Sequence, residues 1–269
     1  MAAPPARMSG EVALGLERVS KRFGAVVALD GVSLTAREGE VTVLLGPSGA
    51  GKSTVFRCLT ALEQPDSGEV VVRGARIDRL QGRALREARR AIGLVFQQHN
   101  LVGRLSAIDN VLSGRLGATP TWRVLARRFA PADRQLALAC LDRVGLLDRA
   151  YERAARLSGG QQQRVAIARA LAQRGGVVLA DEPVASLDPE SAEHVMRTLR
   201  TIARSSGIAV LCSLHQVELA RRFGDVLVGL RGGRVVFTGA PEAFDEGARG
   251  RVYGGRGEEE GVGEVEMAG

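Results

Sequence analysis

The sequence predicts an α/β fold in which a mainly parallel sheet lies between helices. Two observations support this class. Short apolar segments, typical of buried strands, alternate along the chain with longer segments of helical periodicity. In addition, the apolar segment 41–45 breaks at Gly46 into a glycine-rich loop that leads directly into a helical segment.

The predicted elements follow one another in the order that such a fold requires. Strands at 14–19 and 26–34, the second interrupted by a turn at 30–31, are expected to form a small antiparallel β-layer. The region 101–157 is helical in period and rich in arginine, with an extra basic stretch at 115–129, and we interpret it as a helical insertion. Further strands are predicted at 69–72, 92–96, 177–180, 208–212, 226–230 and 234–238, and further helices at 53–62, 80–90, 161–173, 190–204 and 216–223.

Length and composition exclude several classes of protein. The 269 residues suit one large domain or a core with an inserted subdomain. Residues 1–13 are expected to be disordered or to form a weak first strand, and the Gly- and Glu-rich residues 248–269 are expected to be disordered. No apolar run approaches the roughly 20 residues of a membrane helix, and the chain starts without the apolar segment of a secretory signal. Hence we expect a cytoplasmic protein. The three cysteines (Cys58, Cys140 and Cys212) form no C-x-x-C pair and are interpreted as reduced core thiols.

The charge of the chain is strongly basic, with a formal net charge of +7 and a pI of about 10.2. A nucleic-acid partner would account for that charge, but aromatic residues that could stack on bases make up only 4% of the chain. The arginines are dispersed over predicted helices. We therefore expect no nucleic-acid partner and interpret them as a solvated basic face near phosphates or acidic lipid head groups.

The loop at 46–54 matches the phosphate-binding P-loop, G-x-x-x-x-G-K-[ST]. Its glycines let consecutive backbone N–H groups face an anion, and the helix that begins near Gly51 points its positive dipole end at the same place. Lys52 is predicted to reach the β- and γ-phosphates of ATP, and the hydroxyl of Ser53 to ligate Mg²⁺. A chance match is uncommon in this strand–loop–helix context. The predicted nucleotide-binding residues of the motif are Gly46, Pro47, Ser48, Gly49, Ala50, Gly51, Lys52, Ser53 and Thr54.

An acidic pair follows the predicted strand 177–180. Asp181 is expected to hold Mg²⁺, directly or through water. Glu182 is predicted to polarise the attacking water as general base. A lone strand followed by Asp-Glu is often only a strand cap, but its combination with a P-loop favours the metal and base roles.

Between these two motifs the sequence LSGGQ, residues 157–161, stands directly before a predicted helix. Ser158, Gly159 and Gly160 at a helix N-terminus form a second anion-binding surface. One nucleotide does not need two such surfaces, so we expect the second to bind the nucleotide held by another copy of the chain. This predicts a head-to-tail homodimer with two ATP molecules at its interface.

With these motifs, residues 14–245 resemble the ATP-binding subunits of ABC transporters, whose signature is LSGGQ. The resemblance implies the ABC ATPase fold, which is a P-loop NTPase (RecA-like) core with an N-terminal antiparallel β-layer and an inserted α-helical subdomain. It places the core at 14–97 and 162–247 and the helical subdomain at 98–161. Residues 14–247 would then form one ABC ATPase domain.

The resemblance also implies roles for individual residues. Gln97 matches the glutamine that touches Mg²⁺ and the membrane subunit. His215 matches the switch histidine that contacts the γ-phosphate, and Phe23 the aromatic residue that stacks on adenine. Asp188, in the Ser-Leu-Asp segment that crosses the dimer interface, and Gln161 of the signature are expected to contact nucleotide. The two histidines without a matching role, His99 and His194, are interpreted as surface residues.

The implied partners are two transmembrane permease subunits and a periplasmic or lipid-anchored phosphonate-binding protein. The chain itself would be peripheral, on the cytoplasmic face of the inner membrane. Residues 110–125, 180–189 and 213–221 are similar to the ATP-binding subunits of phosphonate importers, which predicts phosphonates, or phosphite or phosphate esters, as cargo. At the switch, however, Leu214-His215-Gln216 stands where most ABC relatives carry Thr-His-Asp.

Three alternatives remain open at this point. The first is an importer of another small solute, such as polar amino acids. The second is a soluble ABC ATPase not involved in transport, although such proteins usually carry a long coiled-coil insertion or a second cassette. The third is a non-catalytic binding module, against which Lys52, Asp181, Glu182 and His215 argue.

Overall fold

A computed structural model describes residues 10–96, 100–126 and 128–254 and confirms the α/β class. Its strands are β1 Val12–Phe23, β2 Val26–Arg37, β3 Val41–Leu45, β4 Ser67–Val72, β5 Ala75–Arg76, β6 Ile92–Phe96, β7 Val177–Asp181, β8 Ala209–Leu214, β9 Val226–Arg231 and β10 Arg234–Gly239. Its helices are α1 Lys52–Leu59, α2 Gly82–Arg89, α3 Ala107–Leu112, α4 Thr121–Leu125, α5 Pro131–Arg143, α6 Gly159–Ala172, α7 Pro189–Ser206, α8 Val217–Phe223 and α9 Glu246–Tyr253. Among these described residues, no helix has the length and apolarity needed to cross a membrane.

A four-stranded sheet of order β2-β1-β4-β5 forms the predicted antiparallel layer. The predicted interruption at residues 30–31 is wrong, because β2 continues to Arg37. The pairing of β1 and β2 shifts register here, with Val19 opposite Val32 but Lys21 opposite Leu29. Gly31, at φ +64°, donates its N–H to Ser20 Oγ at 3.0 Å. Asp30 and Gly31 therefore form a bulge within one long strand and not a turn between two strands.

The second sheet has six strands in the order β10-β9-β3-β8-β7-β6. Pairing is parallel from β9 to β6, and only β10 runs antiparallel to its neighbour. The prediction of a mainly parallel sheet is therefore confirmed. Since β3, β8 and β7 are consecutive parallel neighbours, their carboxyl ends meet at one edge, where ligands bind in sheets of this kind.

Two apolar clusters cover the two faces of this sheet. Along β3, Val43 and Leu45 belong to the cluster formed with the helices, whereas Leu44 belongs to the cluster shared with the antiparallel layer. Strands buried on both faces are apolar throughout, which explains the continuous apolar runs in the sequence. The three cysteines are buried free thiols, as predicted, and burial raises the pKa of Cys212 to about 12.

Helices α3 to α6 lie between β6 and β7 in the chain. The basic stretch at 115–129 contains the short helix α4 and is tied to α5 by an ion pair of Arg115 and Asp133 at 2.8 Å. The side chain of Trp122 is 61% exposed. Because α6 begins at Gly159, the predicted boundary between residues 161 and 162 falls inside a helix, and the division into core and helical subdomain stays a prediction.

Of the two alternatives for the N-terminal residues, a strand is found where the structure describes them, whereas the expected disorder from residue 248 is wrong up to residue 253. β1 begins at Val12, and Ala13 is buried in the antiparallel layer. At the other end, α9 occupies residues 246–253: Asp245 Oδ1 accepts the Ala248 N–H at 2.7 Å, and Val252 packs directly on Gly229 of β9. Only two residues of α9, Ala248 and Val252, are buried. Two apolar residues among Gly, Arg and Glu are too few to be recognised as a periodic pattern. Residues 1–9 and 255–269 lie outside the described part.

Phe244 provides a test of the packing at this end of the chain. Its ring is 2% exposed and meets Phe237 edge-to-face at a centroid distance of 5.0 Å. We expect Phe244→Ala to lower the free energy of unfolding by about 3–5 kcal/mol in urea denaturation, because it leaves a cavity. The matched control is Trp122→Ala, an exposed aromatic residue, which should change it by less than about 0.5 kcal/mol. Equal effects of the two substitutions would contradict the packing described.

Candidate functional site

The P-loop between β3 and α1 is packed so closely that only glycine fits at two positions. Gly46 has φ +155° and Gly51 has φ +104°. A Cβ on Gly46 would overlap the carbonyl oxygen of Leu230, and one on Gly51 would lie 2.6 Å from the carbonyl oxygen of Ala28. The loop is thus held between the backbones of β9 and β2, in the strand–loop–helix arrangement that the sequence predicts.

Lys52 lies at the centre of this loop and is 5% exposed. Its Nζ donates to the carbonyl oxygens of Gly46 at 2.7 Å and Pro47 at 3.0 Å. Burial lowers the pKa of Lys52, and the nearby carboxylates of Glu182 and Asp181 act in the opposite direction. A buried ammonium group whose pKa is influenced by two carboxylates indicates that charge is concentrated around this loop.

The beginning of α1 fits an anion. In an α-helix the first N–H groups have no intrahelical acceptor, and the positive end of the helix dipole lies there. At α1 no side chain caps these groups, and no acidic residue stands in the first turn. Together with the glycine backbone and Lys52, this leaves N–H groups and positive charge for phosphate oxygens.

The ends of β7 and β8 bring four polar side chains together. Ser213 Oγ donates to Asp181 Oδ1 at 2.7 Å and accepts the Glu182 N–H at 2.8 Å. His215 Nε2 lies 2.6 Å from Glu182 Oε1. Glu182 has a left-handed backbone with φ +49°. Glu182 and His215 remain partly exposed, so a water molecule can reach the carboxylate.

Asp181 also faces the P-loop helix. It lines one cavity together with Ser53 of α1 and Phe96 at the end of β6. The residue Phe96 is paired with Asp181 in the parallel register of β6 and β7. The predicted residue Gln97, directly after Phe96, lies outside the described residues, as does His99.

The signature segment begins α6 with a reciprocal cap. Ser158 Oγ accepts the Gln161 N–H at 3.3 Å, and Gln161 Oε1 accepts the Ser158 N–H at 2.9 Å. A Cβ on Gly159 would lie 3.3 Å from Leu187, and one on Gly160 would lie 2.9 Å from the Ser191 side chain. The signature glycines therefore pack directly against the beginning of α7.

Asp188 caps that same end of α7. Its Oδ1 accepts the Ser191 N–H at 2.9 Å, and this hydrogen bond holds the pKa of Asp188 below its usual range. The two segments predicted to face a second copy of the chain, around Gly160 and around Asp188, thus meet at Ser191. The two segments therefore lie together, although Gly160 and Asp188 are 28 positions apart in the sequence.

Phe23 ends β1 at an exposed hairpin. The Lys21 ammonium lies 5.3 Å from its ring centroid and is anchored by a hydrogen bond of 2.7 Å to the carbonyl oxygen of Gln64. The ring is accessible, as a base-stacking role requires. His194 is exposed, as expected of a surface residue, with Nε2 3.2 Å from Arg164 Nη1.

Comparison with known proteins identifies the family to which this chain belongs. A family model described as ABC transporter matches residues 29–185, more than half of the chain. The chain belongs to the ABC transporter family. The ABC ATPase fold expected from the sequence is thereby confirmed.

Curated relatives cover most of this ABC chain. A hypophosphite import ATP-binding protein from Stutzerimonas stutzeri is 54% identical over 236 residues, which cover 88% of this chain and 69% of the relative. A phosphonates import ATP-binding protein from Wolinella succinogenes is 49% identical over 242 residues, covering 90% and 88%. Another from Nocardia farcinica is 54% identical over 227 residues, covering 84% and 85%.

Solved structures agree with the fold. A dimeric ATP-binding cassette in a post-hydrolysis state bound to ADP and Pi is 35% identical, with a TM-score of 0.70, and the match covers 85% of this chain and 98% of that one. A cassette from Clostridium perfringens that is part of an ABC transporter complex is 29% identical, with a TM-score of 0.77, covering 89% and 93%.

Ser213 is the residue of this ABC site that the sequence analysis missed. It stands two positions before His215 in the fully buried strand β8, whose other residues are mainly apolar. A hydroxyl group at the carboxyl end of such a strand is the signal that could have drawn attention to it. The structure shows its use, because both Asp181 and Glu182 depend on its oxygen atom.

Two glycines of the P-loop offer a matched test of the loop geometry. Both have left-handed backbones, but space is open around a Cβ on Gly49. We expect Gly49→Ala to lower the free energy of unfolding by about 1–2 kcal/mol, the cost of the left-handed conformation. Gly51→Ala should cost clearly more, because its Cβ must also displace the Ala28 carbonyl. Urea denaturation of both variants measures the difference, and equal losses would contradict the close approach at Gly51.

Proposed function

We propose that this chain is the ATP-hydrolysing subunit of an importer for phosphonates or a closely related phosphorus oxyanion. The observation that carries the proposal is the cluster at the ends of β7 and β8, where Glu182 is held by Ser213 and His215 and is close enough to the buried Lys52 for its charge to oppose the lowering of that lysine's pKa by burial. This arrangement supplies a base next to a phosphate-binding loop, which ATP hydrolysis needs. The import function and the cargo class rest on the names of the relatives described above.

Binding of ATP would use charge and backbone groups already in place. The phosphates lie against the start of α1 and the ammonium group of Lys52, and the ring of Phe23 stacks on the base. Mg²⁺ prefers oxygen ligands, and Ser53 and Asp181, which line one cavity, supply a hydroxyl and a carboxylate. When bound, Mg²⁺ neutralises negative charge on the phosphate oxygens. Gln97, next to Phe96, is a further proposed ligand.

Glu182 would accept the proton of the attacking water. Its Oε1 is engaged by His215 Nε2 at 2.6 Å, so Oε2 is the oxygen that takes the proton. A carboxylate oxygen only accepts hydrogen bonds, and this contact therefore requires a proton on His215 Nε2. In this role His215 orients the base, and the same N–H would donate to a γ-phosphate oxygen only after it leaves Glu182 Oε1.

The proposed assembly contains two copies of the chain. The exposed residues Ser158, Gly159 and Asp188 of the two adjoining segments face the nucleotide of the second copy, as LSGGQ in this family suggests. One of the similar solved structures is a dimer. Two transmembrane permease subunits and an extracytoplasmic phosphonate-binding protein would complete the importer, and the chain would sit peripherally on the cytoplasmic face of the membrane.

Hypophosphite is a second candidate cargo. One relative at 54% identity is a hypophosphite import ATP-binding protein, whereas relatives of similar identity are named for phosphonates. Both cargoes are phosphorus oxyanions.

The role of Glu182 can be tested on the purified chain. Glu182→Gln should lower kcat for ATP hydrolysis at least about 100-fold, since the amide cannot accept the proton. ATP affinity should stay within about twofold, and a dimer should accumulate with ATP in size-exclusion chromatography. Glu218→Gln, the same change at an exposed position of α8, is the control and should behave as the wild type. A monomeric, fully active Glu182→Gln variant would refute both the base and the dimer.

The cargo can be tested by growth. A deletion strain should lose growth on methylphosphonate as sole phosphorus source, keep growth on phosphate, and recover with the wild-type gene but not with Glu182→Gln. Loss on hypophosphite or phosphite alone would keep the transporter class and change the cargo. Unaffected growth on all of these, in a strain without a duplicate system, would refute the phosphorus cargo and favour another solute, such as polar amino acids.

A further inference from the structure

We infer that the hydroxyl group of Ser213 is a positioning element for ATP hydrolysis, because it holds Asp181 and Glu182 in the geometry that their different roles need. The inference rests on the proposed role of Glu182 as the base. It assigns a role to a residue that lies outside both the P-loop motif and the signature motif.

The bridge consists of two hydrogen bonds to one buried oxygen atom. Ser213 is fully buried. Its O–H donates to Asp181 Oδ1 at 2.7 Å, and its oxygen accepts the Glu182 N–H at 2.8 Å. Both distances are those of well-formed hydrogen bonds. The parallel pairing of β7 and β8 ends with Ala180 opposite Cys212, so the Ser213 side chain extends the link between the strands beyond the last backbone pair.

Glu182 needs such a restraint because its backbone is left-handed. A residue other than glycine at φ +49° is strained and persists only where its surroundings hold it. Pro183 disfavours the right-handed helical conformation of the preceding residue, which leaves the extended conformation as the main competitor. The hydrogen bond from the Glu182 N–H to Ser213 selects the left-handed conformation, in which the carboxylate meets His215.

Loss of the hydroxyl group would therefore act on the base and on the metal ligand together. The Glu182 N–H would lose its acceptor, and Asp181 Oδ1 would lose a donor. Glu182 could then turn to the extended conformation and withdraw its carboxylate from His215. Lys52 and the N-terminus of α1, which carry the phosphate affinity, are not bonded to Ser213, so the effect should fall on turnover rather than on ATP binding.

The test compares variants that differ only in the hydroxyl group. Ser213→Ala should lower kcat about 10- to 100-fold, the size expected for a misplaced catalytic group, while KM and ATP affinity stay within about twofold. The side chains introduced by Ser213→Thr and Ser213→Val have nearly the same shape, but only threonine keeps the hydroxyl group. Thr should retain most of the activity and Val should lose it, a comparison that holds even where Ser213→Ala is unstable. The control is Thr42→Val in the neighbouring strand β3, which removes a buried hydroxyl group without a hydrogen-bond partner among the described residues.

A second readout needs no nucleotide. The chain has three histidines, so their ring nitrogen resonances can be followed by NMR in the nucleotide-free protein. Ser213→Ala and Ser213→Val should shift the His215 resonances in the same direction as Glu182→Ala, because each withdraws the carboxylate. Thr42→Val and Ser213→Thr should leave them in place, and His194 should not respond.

The outcomes separate this inference from the proposed function. If Ser213 acts through Glu182, adding Ser213→Ala to Glu182→Gln should lower single-turnover hydrolysis little further. Full additivity would overturn the part of the inference that assigns Ser213 to Glu182. Unchanged kcat in Ser213→Ala, or equal activity of the Thr and Val variants, would overturn the whole inference and leave Glu182 as the base. Full activity of Glu182→Gln alone would instead refute the proposed base.

Discussion

The parallel pairing of β7, β8 and β3 is the constraint on which the functional site depends. Parallel neighbours end at the same edge of a sheet, so segments far apart in the chain are brought together there. In this chain Leu45 is paired with Leu214, and Ala180 with Cys212. The P-loop follows Leu45, the acidic pair follows Ala180 and His215 follows Leu214, so the strand register brings these three segments together.

The β9–β10 turn and the antiparallel layer hold the P-loop in place at this edge of the sheet. The turn between β9 and β10 bridges the P-loop and the antiparallel layer: the Gly233 N–H donates to the Ala50 carbonyl oxygen at 3.1 Å, and the Gly233 carbonyl oxygen accepts the Asp30 N–H at 2.8 Å. The close approach of Gly51 to Ala28 adds a third contact. The loop around Lys52 is therefore shaped by two sheets, which lets it keep a buried ammonium group bonded to its own carbonyl oxygens.

The elements that were predicted well and those that were not differ in the range of the interactions that form them. β3, β7 and the helix after LSGGQ were recognisable because strand burial and helix capping are local patterns. The bulge at Gly31 was missed because an Asp-Gly pair forms a turn or a bulge depending on the partner strand. Helix α9 was missed because its stability comes from packing of Val252 on Gly229, a contact between residues that no local pattern links.

The sequence by itself determined the motifs on which the proposed chemistry rests: the P-loop with Lys52, the acidic pair Asp181 and Glu182, and the signature before α6. Each is a short motif whose residue types and spacing predict a function. The tertiary structure alone decided how these motifs cooperate. The hydrogen bonds of Ser213, the contact of His215 with Glu182 and the meeting of Gly160 with Ser191 join separate elements. They depend on strand register and helix packing, which are set by the whole core.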